Sequence, residues 1–197
     1  MKSLIFLILI GFSSLLNLKG QEPVSFHLKS LRIHGKTNVN QFTFSFDSSI
    51  THQVTLPKDE VSKRQSKEIR FNIPVKAFHS GNTMMRKDFQ ELLKSSQYPH
   101  IKVAIEKDKL LDILEGIYLS DLQLDITLAG QTQAVQSQYD IQYQSSDRML
   151  LEGLTNLRLK QFHLEPPRKM MGLVQVKNTI LIKFDIVLSQ TKTALNQ

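Results

Sequence analysis

Six histidines are the side chains in this sequence that are best suited to bind metals or transfer protons. They are His27, His34, His52, His79, His100 and His163. None stands in an HExxH motif, and no two are separated by the i, i+2 or i, i+4 spacing that brings two ligands to one metal ion. We therefore predict no metal site and interpret each histidine as a surface or strand-end residue.

Motifs for nucleophilic catalysis and phosphate binding are also absent from the sequence. The sequence contains no GxSxG elbow and no cysteine, which excludes a thiol nucleophile. The stretch "GKT" at Gly35–Thr37 is similar to the end of a phosphate loop, but position 30 is Ser rather than Gly, and the stretch joins two predicted strands. Asp121 and Asp125 fall on the outward side of a predicted strand. No catalytic residue is predicted.

The chemistry that the sequence does offer is apolar. In "FTFSFDSSI", Phe42, Phe44 and Phe46 occupy every second position, with Thr43 and Ser45 between them. Side chains of a strand point alternately to opposite faces, so the three rings share one surface. That surface is a core, a ligand cavity or both.

Period-two runs of this kind recur along most of the chain and predict about eight strands, mostly antiparallel. A change of phase near Ser30 indicates a bulge, and Gly130 provides a hairpin turn. One helix is predicted between Ser80 and Pro99, and a weaker helical insert at Lys107–Gly116. This order is typical of an all-β closed barrel or a sandwich, and closure would remove exposed strand edges.

The first twenty residues predict a secretory signal peptide. Lys2 is followed by an apolar run from Leu4 to about Leu16 and by the small residue Gly20, near which we place the cleavage site. An uncleaved membrane anchor is the alternative. The remaining 21–197 are expected to form one domain without a membrane span, exported to the periplasm or secreted.

Charge and cysteine content limit the partners and covalent links. The formal charge is +7, or +5 without Lys2 and Lys19 (7 minus 2). No basic stripe with interleaved aromatic residues appears, so nucleic acid is not an expected partner. The absence of cysteine excludes disulfides and lipid attachment through a cysteine.

Four blocks of the chain resemble the YceI-like family, exported lipocalin-like proteins that bind polyisoprenoids and other long lipids. They are "LRIHGKTNVNQFTFSF", "FNIPVKAFHSGNTMMRKDFQELLKSSQYPHIKV", "LDITLAGQTQAVQSQYDI" and "LRLKQFHLEPPRKMMGLVQVKNTILIKFDIVL". The middle block, with Arg86 and Asp88 in the helix and Tyr98–Pro99 after it, is the most specific. The resemblance implies a lipocalin-like closed barrel of about eight strands around an elongated apolar tunnel, with the helix packed over one end.

The leading hypothesis is a non-enzymatic carrier that holds a long isoprenoid or other lipid inside the barrel, in the cell envelope. No cofactor is predicted; the expected ligand is a polyisoprenoid or quinone-like lipid. An anionic head group would meet Arg86, Arg168 and Lys169 at a mouth. The candidate wall residues are Phe42, Phe44, Phe46, Phe71, Ile73, Val103, Leu124, Ile126, Tyr139, Ile182 and Phe184.

Ordinary core packing is the alternative reading for each wall residue. The corresponding alternative function is a filled barrel without lipid that binds proteins, through the Pro- and Met-rich stretch "EPPRKMMGL". A homodimer is left open as a further partner. A hydrolase acting on an envelope lipid ranks last, because no nucleophile and base are recognisable.

Overall fold

A computed structural model of the protein describes residues 23–47, 50–55, 67–117 and 120–190. The predicted signal peptide, 1–20, lies outside these ranges. The strands are β1 Pro23–Lys36, β2 Gln41–Phe46, β3 Ile50–Thr55, β4 Glu68–Pro74, β5 His100–Glu106, β6 Leu122–Leu128, β7 Gln131–Ser145, β8 Arg148–Arg158, β9 Arg168–Lys169, β10 Val174–Gln175 and β11 Thr179–Gln190. The helices are α1 Thr83–Leu92 and α2 Lys107–Leu114.

One antiparallel sheet contains all the strands except the short pair β9 and β10. Its order is β2-β1-β11-β8-β7-β6-β5-β4. Strand β3 also pairs with β1, through Pro23–Leu28, whereas β2 pairs with Leu31–Lys36. Strands β2 and β3 therefore lie end to end along one edge, and the sheet has eight strand positions. The predicted all-β class and strand number are confirmed.

Closure of the barrel is not confirmed. Among the described residues no ladder joins β4 to β2 or β3. The two edges are joined by a bridge in which Ser45 N donates to His79 O at 2.9 Å and His79 N donates to Ser45 O at 2.8 Å. The segment that follows β4 turns back along β2 here, and Phe78 packs on Phe46 with ring centroids 5.5 Å apart. The seam is thus filled by aromatic side chains rather than by strand pairing.

Local irregularities lie where the sequence predicted them. The β1–β11 register shifts between Leu28 and Ser30, and the buried Ser30 hydroxyl donates to Asp185 Oδ2 at 2.6 Å. The β6–β7 hairpin turns through Ala129 and Gly130, both with positive φ (46° and 82°). Positive φ at both central positions is the geometry that matches the twist of a two-residue hairpin.

Two helices, rather than the single firm one predicted, lie at opposite ends of the sheet. Helix α1 connects the end of β4 to the start of β5, and α2 connects the end of β5 to the start of β6. The weaker prediction at Lys107–Gly116 is therefore confirmed as helix α2. None of the helices in the described ranges combines the length and apolar character needed to cross a bilayer.

Candidate functional site: an apolar cavity under helix α1

A cavity of about 280 Å³ lies inside the curled sheet, in the half nearest α1. Its volume is just below the range of about 300–1,000 Å³ that is usual for ligand pockets. Inward-facing positions of β1, β2, β4, β5, β6 and β11 form most of the wall. These residues alternate along each strand with outward-facing ones, because successive strand side chains point to opposite faces.

Nine of the eleven predicted wall residues line this cavity. They are Phe42, Phe44, Phe71, Ile73, Val103, Leu124, Ile126, Ile182 and Phe184. The structure thus places them around one space, while their contact with a ligand stays a prediction.

Phe46 and Tyr139 do not line the cavity. Phe46 is 1% exposed and lies deeper, against Phe78 at the seam. Tyr139 is partly buried and packs on the core from β7. Both residues have the predicted strand phase and lie in the same cross-strand row as Leu31 and Phe184, which do line the cavity.

Two cavity phenylalanines lie opposite glycines on neighbouring strands. Phe42 pairs with Gly35 across β1 and β2, and Phe184 pairs with Gly153 across β8 and β11. A β-carbon at either glycine would overlap the facing ring. Glycine therefore lets each ring lie against the neighbouring backbone, which sets the shape of the wall.

Helix α1 covers the cavity at the end where β4 stops and β5 starts. Its N-cap is Asn82, whose Oδ1 accepts hydrogen bonds from Met84 N at 2.8 Å and Met85 N at 3.1 Å. Phe89 points inward and stacks on Phe44, with ring centroids 4.3 Å apart and planes 23° apart. A helix of ten residues is marginal alone, so this contact is what holds it over the cavity.

The opposite half of the sheet is filled. Leu110 and Ile113 of α2 are fully buried there, together with Phe26, Leu122 and Leu151, and none of these five borders the cavity. Within the described residues the cavity therefore ends against a packed core, and the continuous tunnel implied by the resemblance is not seen.

The deep wall presents no free polar group to a ligand. Thr155, the polar residue among the strand positions there, is 2% exposed, and its Oγ1 donates to Gln136 O at 2.6 Å. The other polar lining residues are Thr37, Asn40, Asn82 and Asp88, which lie on the β1–β2 turn and around α1, at the mouth. The cavity is therefore apolar inside, and its polar lining residues lie at the opening, beside the apolar Met84, Pro167 and Val174.

The sequence and this geometry can be compared with known protein families. A model of the YceI-like domain matches residues 19–188. The chain belongs to the YceI-like family. A search of curated proteins found no match to it.

Solved structures similar to this YceI-like chain share its fold. A polyisoprenoid binding domain from Saccharophagus degradans, implicated in plant cell wall breakdown, is 15% identical with a TM-score of 0.62, and the alignment covers 85% of this chain and 98% of that one. BcnA from Burkholderia cenocepacia is 14% identical with a TM-score of 0.56, covering 80% and 94%. At these identities the likeness establishes the fold alone.

Two of the predicted head-group cations of the YceI-like chain, Arg86 and Arg168, do not line the cavity, and all three lie beside a residue that borders it. Arg86 follows Met85 on α1, and its Nη2 donates to Thr83 Oγ1 at 3.1 Å. Arg168 follows Pro167 and is exposed. Lys169 pairs with Val174 through the β9–β10 backbone, and its side chain lies outside the description. No three metal-ligating side chains group together in the described ranges.

Several lining residues were not predicted. Ile101, Ile105 and Ile186 continue the inward phase of strands that were assigned, so the same alternation would have found them. Phe89 lies in the helix that was predicted between Ser80 and Pro99, but it was not predicted as a lining residue. Pro167, Val174 and Val176 come from a hairpin without a local pattern, and only the folded arrangement brings them to the mouth.

Proposed function

We propose that this protein binds a long-chain isoprenoid or similar lipid in the cavity under α1, as a non-enzymatic carrier in the cell envelope after export. The observation that carries the proposal is the apolar inner wall, in which the buried hydroxyl, that of Thr155, already donates to a backbone carbonyl. Such a wall selects hydrocarbon, since an unpaired polar group of the ligand would lose its hydration without gaining a partner.

Hydrocarbon burial is sufficient to drive binding. An isoprenoid unit that removes about 100 Å² of apolar surface from water contributes on the order of 2.5 kcal/mol before ordering costs, at roughly 25 cal/mol per Å². A chain of several such units would therefore bind without a polar contact. The polyisoprenoid-binding description of the similar Saccharophagus degradans domain supports an isoprenoid as the first ligand to test.

The experiment is native mass spectrometry of the protein purified gently from its own envelope, compared with the same sample after denaturation. We expect an added mass that disappears on denaturation and that identifies the lipid. Val103→Phe, which narrows the cavity, should lower the lipid-bound fraction, whereas Ala104→Phe on the opposite face of β5 should not. A bare protein that also takes up no added polyprenol would overturn the proposal.

A further inference from the structure

The mouth of the cavity carries exposed apolar side chains from three separate segments. Val39 lies on the β1–β2 turn, Met84 lies in the first turn of α1, and Met171 and Leu173 lie on the β9–β10 hairpin. Val39, Met84 and Leu173 are 66%, 71% and 72% exposed, and Met171 is fully exposed. We call these four residues the rim. Isolated exposed apolar residues are ordinary, but a group around one opening indicates an interaction surface.

Hydrogen bonds connect two of the three segments. Asn38 Nδ2 donates to Leu173 O at 2.8 Å, and Gln175 N donates to Asn38 Oδ1 at 2.9 Å. Thr37, Asn40, Met84 and Val174 border the cavity itself. The rim is therefore continuous with the cavity wall, and the β9–β10 hairpin is held against the β1–β2 turn.

Basic side chains flank the rim. Lys36, Arg168 and Lys177 are exposed, and Lys177 N donates to Lys36 O at 2.7 Å, which places those two lysines side by side. A shallow depression on the outer wall beside them is lined by Lys36, Lys177 and Lys183. The acids near the mouth are Asp88, Glu91 and Glu165, and Glu91 is 4.0 Å from Lys87. The cations there outnumber the acids.

Among the described residues around α2, acids outnumber cations. The acids there are Glu68, Glu106, Asp108, Asp112, Glu115 and Asp121, and the cations are Lys67, Arg70, Lys107 and Lys109. A molecule charged in this way turns its basic end towards an anionic surface.

We propose that the rim and its basic flank form a docking surface for an anionic lipid bilayer. Apolar side chains would enter the head-group region while Lys36, Arg168 and Lys177 meet lipid phosphates, an arrangement typical of proteins that lie on a membrane surface. The cavity mouth would then face the bilayer. This surface goes beyond the proposed ligand, because docking requires only the exposed residues and not an occupied cavity.

The test is flotation of the full chain with vesicles of phosphatidylglycerol and phosphatidylcholine, compared with vesicles of phosphatidylcholine alone. We expect binding to the anionic vesicles that falls as salt rises. Lys36→Gln, Arg168→Gln and Lys177→Gln should each weaken binding on the order of five-fold, and Met171→Ser with Leu173→Ser should weaken it further. Ile117→Ser and Lys109→Gln, at the α2 end, are the matched controls.

Three outcomes would overturn this proposal. The first is failure of the wild-type chain to float with anionic vesicles, and the second is an equal loss of binding in the rim variants and in the α2-end controls. The third is a monomer–dimer equilibrium in sedimentation that the rim variants abolish without any vesicle binding, since the rim would then be covered by a second copy. Uptake of geranylgeraniol from solution, measured on the same variants, reports separately on the cavity.

Discussion

The ring of Phe184 lies directly over Gly153 on the neighbouring strand, so that a β-carbon at position 153 would overlap it. Gly153→Ala should therefore destabilise the fold by about 1–3 kcal/mol, the usual cost of overpacking. Phe184→Leu should recover part of that loss, giving a non-additive double mutant. Urea unfolding measures all three variants. Gly81→Ala, where a β-carbon would meet open space, is the control, and strict additivity would contradict the contact.

A single tryptophan can report on the cavity, because the natural sequence contains none. Ile182 lines the cavity, whereas its neighbour Leu181 faces the outer depression. Titration of Ile182→Trp with geranylgeraniol should change the fluorescence saturably, and the same titration of Leu181→Trp should leave it unchanged. Equal responses from both variants would mean that the lipid binds outside the cavity.

The position of α1 depends on Phe89, which stacks on Phe44 and lies 5.3 Å from Phe78 between ring centroids. Phe89→Ala should lower the free energy of unfolding by about 3–5 kcal/mol if the whole core is destabilised. The decrease should be smaller if only helix α1 unfolds locally. Hydrogen exchange separates these cases, since local loosening raises exchange in α1 but not in β8. Lys87→Ala, on the exposed face of α1, should change neither region.

Thr155 and Ser137 hold together the place where β7 changes partner. The β6–β7 ladder ends at Ser137 and the β7–β8 ladder begins at Gln138, and Thr155 Oγ1 bonds to Gln136 O across this point. Thr155→Val keeps the shape but removes this hydrogen bond, so we expect a loss of about 0.5–1.5 kcal/mol in the free energy of unfolding. Thr179→Val, at an exposed strand end, is the control. Lipid uptake should persist in Thr155→Val, because its cavity wall is more apolar.

His34 should make stability fall in mild acid. Partial burial, and then the positive charges of Lys183 and Arg32, lower the pKa of His34 below its ordinary 6.5. As the pH falls below 6.5 the unfolded chain binds a proton before the folded one, so stability is lost until the folded pKa has been passed. Chemical unfolding between pH 7 and pH 5 should show this decrease. It should be smaller in His34→Gln, and an unchanged slope would exclude His34 as its source.

Strand phase predicted which face of each strand would be inward, and this is why nine of the wall residues lie around one cavity. It could not tell which inward residues border the cavity and which pack against their neighbours, so Phe46 and Tyr139 were assigned to the wall although Phe46 packs on Phe78 and Tyr139 packs on the core. The way in which the two sheet edges meet could not be predicted from strand periodicity either. It depends on the contact of Phe78 with Phe46, and Phe78 lies in a segment without periodicity. Thr155 could not be predicted as a wall residue, because it is polar in the sequence. Its hydroxyl is satisfied by the carbonyl of Gln136, which only the folded arrangement brings near.

The packed core at the α2 end has a consequence for how a lipid would enter and leave the cavity. A cavity that ends against a solid core loads and empties through one aperture, so the chain end that enters first leaves last. Such a protein would work as a shuttle rather than as a conduit, and net transfer would follow the difference in lipid content between the surfaces it visits. The rate of lipid transfer would be set by how often the aperture contacts a surface that donates or accepts lipid.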